Sequence, residues 1–264
     1  MNFDLVLCGV GGQGVLSTAY VIDHAAVDAG LHFKQPEIHG MSQRGGAVSA
    51  QVRLGSAPIA SDLISAGEAR AVLSVEPLES LRYLSLLSKD GWVFTDVTPL
   101  KNMADYPDTA KLYEVLFSLP RVVAVNATRL AARAGASKAQ NMVVLGAAAS
   151  LLPFAVELLE KHLRALFQVK GEHVVKANLK AFQMGLSARA FKAALVERGV
   201  PAAVAARVVA RLDFDPAPVP EAVVNAWVAR LTRADGEALS KRLLASGDAL
   251  PLDAQVPAAL ASSP

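Results

Sequence analysis

Two short stretches of this 264-residue chain carry groups suited to holding an anion. The first is Gly9-Val10-Gly11-Gly12-Gln13-Gly14, which satisfies G-x-G-x-x-G. It lies between an apolar run, residues 2–9, and a segment of helical spacing, residues 15–29. Glycines let a backbone approach a phosphate closely, and a helix N-terminus offers free N–H groups and the positive end of its dipole. The second stretch is His39-Gly40-Met41-Ser42-Gln43-Arg44-Gly45-Gly46. Ser42 and Gln43 bring hydroxyl and amide donors, Gly45 adds backbone freedom, and Arg44 brings a planar fork suited to phosphate or carboxylate. The expectation is that these two loops face one another and grip something phosphorylated or acidic.

The glycine pattern alone serves a phosphate site, a dinucleotide site or simple tight packing equally well. A dinucleotide site needs an acid about 20 positions on, at the end of the second strand. Glu37 is the only candidate, and it follows Pro36 outside any convincing strand. His39 is a candidate proton carrier or ligand, against the plainer role of a hydrogen-bonded loop histidine. Glu37 is a candidate contact for a partner or cofactor, against that of an exposed acid. The five histidines show no metal-ligand spacing, and no G-x-S-x-G elbow supports hydrolase chemistry.

The elements that must position these loops follow from composition and period. With 53% hydrophobic and 19% charged residues the chain is globular. Its net charge of +2 comes from scattered residues without interleaved aromatics, so nucleic acid is not an expected partner. The single cysteine, Cys8, excludes a disulfide within the chain and any iron–sulfur cluster or cysteine-type zinc site held by this chain alone. The apolar run at 141–154 is too short to span a membrane, and the N-terminus lacks the features of a signal peptide. The expected setting is cytoplasmic, without membrane contact. Strands are expected at 2–8, 31–35, 47–54, 71–75, 92–95 and 121–125. Helices are expected at 15–29, from Pro77 through Leu87, from a Thr109 cap to Leu119, from Asn126, at 141–152, 154–167 and 170–190, and at 221–245. A turn is expected at Lys89-Asp90-Gly91. Strands alternating with helices give an α/β fold with a mostly parallel sheet flanked by helices. Residues 1–190 form its catalytic-type domain, and residues 191–264 a helical, partly flexible extension outside the main core.

The stretches Leu7-Cys-Gly-Val-Gly-Gly-Gln-Gly-Val-Leu16, Gln35-Pro36-Glu37-Ile-His39-Gly-Met-Ser42-Gln-Arg44-Gly-Gly46 and Val48-Ser-Ala-Gln-Val-Arg53 add a family likeness. In this order and separation they resemble the Rossmann-like gamma domain of the 2-oxoacid:ferredoxin oxidoreductases, most of all the separate beta subunit of the indolepyruvate type. The likeness covers about residues 1–190 and implies a subunit, not a complete enzyme. In such enzymes a large alpha subunit carries thiamine diphosphate with Mg2+ and [4Fe-4S] clusters. A 2-oxo acid, here an aromatic one, is decarboxylated, electrons pass to ferredoxin, and the acyl group goes to coenzyme A bound at the subunit interface. An alpha2beta2 heterotetramer is the implied assembly. Carried over by position, Gly11, Gly12, Gln13 and Gly14 supply backbone donors. Ser42, Gln43 and Arg44, with Gly45, bind phosphates or the acyl group on the thiamine side. The tail beyond 191 departs from the shorter members, and docking on a partner is its expected role. The competing functions are a free-standing NAD(P)-dependent Rossmann oxidoreductase and a non-catalytic scaffold.

Overall fold

The computed structural model describes residues 1–40, 45–101, 103, 105–247 and 249–252. Its centre is β1 (Asn2–Val10), all but the first residue of which is buried. The apolar run alternates between two layers. Leu5 and Leu7 belong to one buried cluster, while Val6 and Cys8 belong to a second on the opposite face. A strand covered on both sides reads as a continuous apolar run because both periods of the pleat face protein.

Six further strands join β1: β2 (His32–Lys34), β3 (Glu37–His39), β4 (Ala47–Gly55), β5 (Ala69–Ser74), β6 (Leu87–Asp96) and β7 (Val122–Val125). The order is β2-β4-β1-β5-β6-β7, with β3 also on β4. β1, β5, β6 and β7 run parallel, and β4 is antiparallel to β1, β2 and β3. Among the described residues, six of the seven strands therefore point the same way and β4 alone is reversed, so the sheet is mixed but mostly parallel. One face carries α1 (Val15–Asp28), α4 (Ala127–Ala134), α5 (Gln140–Ala148), α6 (Val156–Phe167) and α7 (Glu172–Glu197). The other carries α2 (Pro77–Arg82) and α3 (Thr109–Ser118). The helices α5 and α7 touch backbone to backbone: a Cβ on Gly185 would run into the Val143 carbonyl.

Four expectations are corrected. The helix beginning at Pro77 ends at Arg82 and passes through tight turns into β6 at Leu87. The three-residue spacing of Leu81, Leu84 and Leu87 suits such turns as well as a helix. Lys89-Asp90-Gly91 is not a turn but lies inside β6. Asp108, not Thr109, caps α3, its Oδ1 accepting from the amides of Ala110 at 3.0 Å and Lys111 at 3.1 Å. Residues 37–39, placed in a loop, form β3; Pro36 is tolerated there because it only ends the edge pairing.

The fold does not stop at residue 190. α7 runs unbroken to Glu197, and α8 (Ala202–Val209), β8 (Leu212–Asp213), α9 (Glu221–Leu231), α10 (Gly236–Ser246) and β9 (Leu250–Pro251) follow. The described part of this tail is helical but not outside the core. Val204, Ala205, Val208, Phe214 and Trp227 are buried in the cluster of the α5–α7 face, while Ala206 and Ala210 belong to that of the α2–α3 face. α8 thus wraps the free edge of β7, a place where open backbone groups invite unwanted strand pairing. Asp213, 4% exposed, fastens the tail to α4: Arg129 donates to it at 2.7 and 2.8 Å, and Arg133 at 2.9 Å.

Candidate glycine-loop site

β1 ends at Val10, and the chain reaches α1 through Gly11-Gly12-Gln13-Gly14. Val10 pairs with Ala47, the first residue of β4, so the end of the glycine loop and the end of the His39–Gly46 loop meet at one point of the sheet. There the Gly11 amide donates to the Gly46 carbonyl at 2.8 Å, and the Gly40 amide to Ala47 at 3.1 Å. The described ends of the two loops therefore do face each other. Ser42, Gln43 and Arg44, the expected ligand side chains of the second loop, lie outside the described residues.

The four residues of the first loop divide the work. Gln13 is a clamp: its Oε1 accepts from Val10 N–H at 2.8 Å, and its Nε2 donates to the Val75 carbonyl at 3.0 Å. Its own amide donates to Val10 at 3.1 Å. Gln13 and the Gly11 amide thus hold the loop's shape. Gly12 and Gly14 make no such amide bond among the described residues, and they stand at the opening of α1. Gly14 has φ 81°, and a Cβ there would lie 2.6 Å from Asn141 Nδ2. Asn141, 4% exposed, donates to the Gly14 carbonyl at 2.9 Å and to Thr18 Oγ1 at 3.3 Å, tying α5 to the loop. Among the described residues no side chain caps α1 and its first turn holds no acid, so none of them compensates the positive end of its dipole.

Two cavities meet at this helix end. One, of about 310 Å³, is lined by Gly11, Gly12, Leu16, Ser17 and His39 among others. The other, of about 470 Å³, shares Gly12, Gly14 and Ser17 and extends past Lys138, Lys170 and His173 to Phe167 and Asn178. The basic residues of the second cavity went unnoticed in the sequence because two stretches some thirty residues apart supply them. Their side chains are exposed and make no ion pair among the described residues. The amides and cations fit a ligand with several phosphates on an extended body.

Of the other two candidates, His39 lines the first cavity and Glu37 does not. Glu37 instead accepts from Gln35 at 2.7 Å and lies 3.4 Å from His39 Nε2. The acid demanded by a dinucleotide site is missing for a topological reason: β2 pairs with β4 and not with β1. Several buried acids were not foreseen, among them Asp23, Asp96 and Glu76. Asp23 on α1 is 3% exposed with Oδ1 unpartnered; burial, then the charge of Glu37, pushes its carboxyl up to about 7. Asp96, at the end of β6, is pushed up to about 6 by burial although four hydrogen bonds from Thr98, Ala127 and Thr128 favour its charge. Glu76, at the end of β5, accepts from Tyr106 and from the amides of Glu79 and Leu100. Asp96 and Glu76 spend their oxygens on the chain's own loops. Among the described residues no group of three or more His, Cys, Asp or Glu is placed to hold a metal, and no helix is long and apolar enough to cross a membrane.

Residues 4–188 match the family model described as pyruvate ferredoxin/flavodoxin oxidoreductase. The chain belongs to this family. It is 37% identical over 194 residues to the indolepyruvate oxidoreductase subunit IorB of Archaeoglobus fulgidus, covering 70% of this chain and 94% of that one. It is similar in structure to the keto/oxoacid ferredoxin oxidoreductase gamma subunit of Geobacter sulfurreducens, with TM-score 0.50 and 26% identity over 69% of this chain and 95% of that one. The 2-oxoglutarate:ferredoxin oxidoreductase of Magnetococcus marinus shares the fold at TM-score 0.55 and 21% identity, over 70% of this chain but only 30% of that longer one. The family match ends before α8, so the helices that wrap β7 lie beyond it.

Proposed function

We propose that this chain is the beta, gamma-domain, subunit of a cytoplasmic indolepyruvate or other arylpyruvate:ferredoxin oxidoreductase, and that it closes the site of a larger alpha subunit. The observation that carries the proposal is the start of α1, uncapped by any described side chain, standing between two cavities, one of them rimmed by Lys138 and Lys170, which make no ion pair among the described residues. Coenzyme A fits this arrangement, with its phosphates over Gly12, Gly14 and the first turn of α1, and its anionic nucleotide end toward Lys138, Lys170 and His173. Ser42, Gln43, Arg44 and Gly45 would complete the grip from the second loop. His39, on the wall of the first cavity, is the candidate polar contact for the reacting end, with Glu37 3.4 Å behind it.

The reaction converts an aromatic 2-oxo acid and coenzyme A to the acyl-CoA, carbon dioxide, two protons and two electrons, which ferredoxin accepts. Thiamine diphosphate with Mg2+ on the alpha subunit supplies the electron sink, and [4Fe-4S] clusters there supply the path to ferredoxin. This chain's contribution is binding and orientation: backbone donors held rigid by Gln13 and Asn141, and cations that raise the local concentration of an anionic cosubstrate. The proposed assembly is an alpha2beta2 heterotetramer.

Steady-state assay of the co-purified complex tests this. Lys138→Ala combined with Lys170→Ala should raise the KM for coenzyme A about tenfold or more, or about 1.4 kcal/mol, with the KM for the oxo acid unchanged. An unchanged coenzyme A KM would remove the cosubstrate from this cavity.

A further inference from the structure

Far from the glycine loop, α7 carries two cations that the proposed chemistry does not use. Arg189 lies with its guanidinium carbon 4.1 Å from the centre of the Trp92 ring, and Lys192 Nζ lies 5.6 Å from it. Trp92 is held in place by stacking on Phe94, ring centres 6.1 Å apart. Lys192 is only 3% exposed. Neither cation makes a hydrogen bond or ion pair with any described residue. The acid that most affects Arg189 is Glu197, about two turns further along the helix and exposed. Two like charges at i and i+3 in a half-buried notch repel each other, and a buried charge without a partner is costly. The indole face offsets part of that cost but leaves the amino and guanidinium N–H groups without acceptors.

We propose that Arg189 and Lys192, set against Trp92, form a binding site for a compact oxyanion, a carboxylate or a phosphate, distinct from the glycine-loop cavities. Lys192 is some 20 residues, about 30 Å, along α7 from the helix start that borders the second cavity. Trp92 lies level with Ala71 and Leu5, toward the N-terminal end of the parallel strands and opposite the loops. Arg189 and Trp92 are half-buried, so the notch opens to solvent on their side. Burial and the neighbouring Arg189 push the Lys192 amine down to about 8, the response of a cation lacking a counter-charge. Two sources could supply the anion: a free phosphate or carboxylate metabolite, or an acidic side chain of the large subunit.

The chain contains two tryptophans, Trp92 and Trp227, so incorporation of 5-fluorotryptophan gives two resonances, assigned with Trp92→Phe. Titration of the full chain with inorganic phosphate, at ionic strength held constant with chloride, should shift the Trp92 resonance saturably and leave Trp227 in place. Lys192→Met and Arg189→Gln should each weaken that binding about tenfold or more. Should Lys192→Met fail to fold, Arg189→Gln at the half-buried position gives the same reading. Absence of a saturable shift at millimolar phosphate, or an equal shift in the variants, overturns the proposal. The complex distinguishes the sources. A Trp92 that still answers phosphate there indicates a free ligand. One already at its bound position without phosphate indicates a subunit carboxylate. A Trp92 silent to phosphate and at its anion-free position in the complex also overturns the proposal.

Discussion

Gln13 gives the sharpest test of how the glycine loop is held. Gln13→Ala removes the Oε1 that accepts from Val10 N–H at 2.8 Å and the Nε2 that donates to the Val75 carbonyl at 3.0 Å. Val10 and Val75 are 1% and 4% exposed, so water restores these partners poorly. Two such bonds at about 1 kcal/mol each, with part of the desolvation penalty of the orphaned groups, give a loss of about 2–3 kcal/mol. For a chain of this size that is a fall in Tm of about 4–10 °C. Gln13→Glu keeps the acceptor for Val10 but sets a second oxygen against Val75, and should be no more stable than Gln13→Ala. Urea unfolding followed by circular dichroism measures both. A side chain used mainly to contact ligand would instead leave the unfolding midpoint unmoved and change only coenzyme A affinity. That outcome, a loss below about 0.5 kcal/mol with binding impaired, would refute the clamp.

Other residues carry predictions of their own. Gly14→Ala forces a side chain to φ 81° and against Asn141, and should cost about 2–4 kcal/mol in the same unfolding assay. Asp23 holds its proton in the folded chain up to about 7 but loses it near 3.8 when unfolded, so stability should fall as pH rises from about 4 to 7. That fall is at most about 4 kcal/mol, and Asp23→Asn should remove Asp23's share of it, leaving the variant the more stable at pH 8. Asp213→Asn breaks the link between Arg129, Arg133 and the tail; with both arginines partly exposed the loss should be about 1–3 kcal/mol by thermal melting. Arg44→Ala should raise the coenzyme A KM of the complex about tenfold, and an unaltered KM would deny Arg44 a phosphate.

The sheet and the site were legible to different degrees, for identifiable reasons. β1, α1 and the parallel strands announce themselves because their burial is dictated by their own residues. β3 does not, since Glu37, Ile38 and His39 are all exposed and pair only because β4 offers its edge. The tail misled for a related reason. Its Ala- and Val-rich helices resemble a solvent-side appendage until Ala206 and Ala210 turn to one face of the sheet and Val204, Ala205 and Val208 to the other. In the site, the G-x-G-x-x-G spacing pointed to the start of α1, where two cavities meet, yet it could not divide labour within the loop. That Gln13 braces while Gly12 and Gly14 stay open depends on Val75, some sixty residues away. The cations Lys138 and Lys170, just before α5 and α7, likewise converge only through the packing of these two helices on each other.

Co-purification of the tagged chain from its own cell, followed by a ferredoxin-reduction assay with an aromatic 2-oxo acid, bears most directly on the central claim. The complex should contain a larger thiamine- and iron-bearing subunit and reduce ferredoxin only when coenzyme A is present, while the isolated chain should be inactive. Turnover by the chain alone, or purification with no larger subunit attached, would contradict the account.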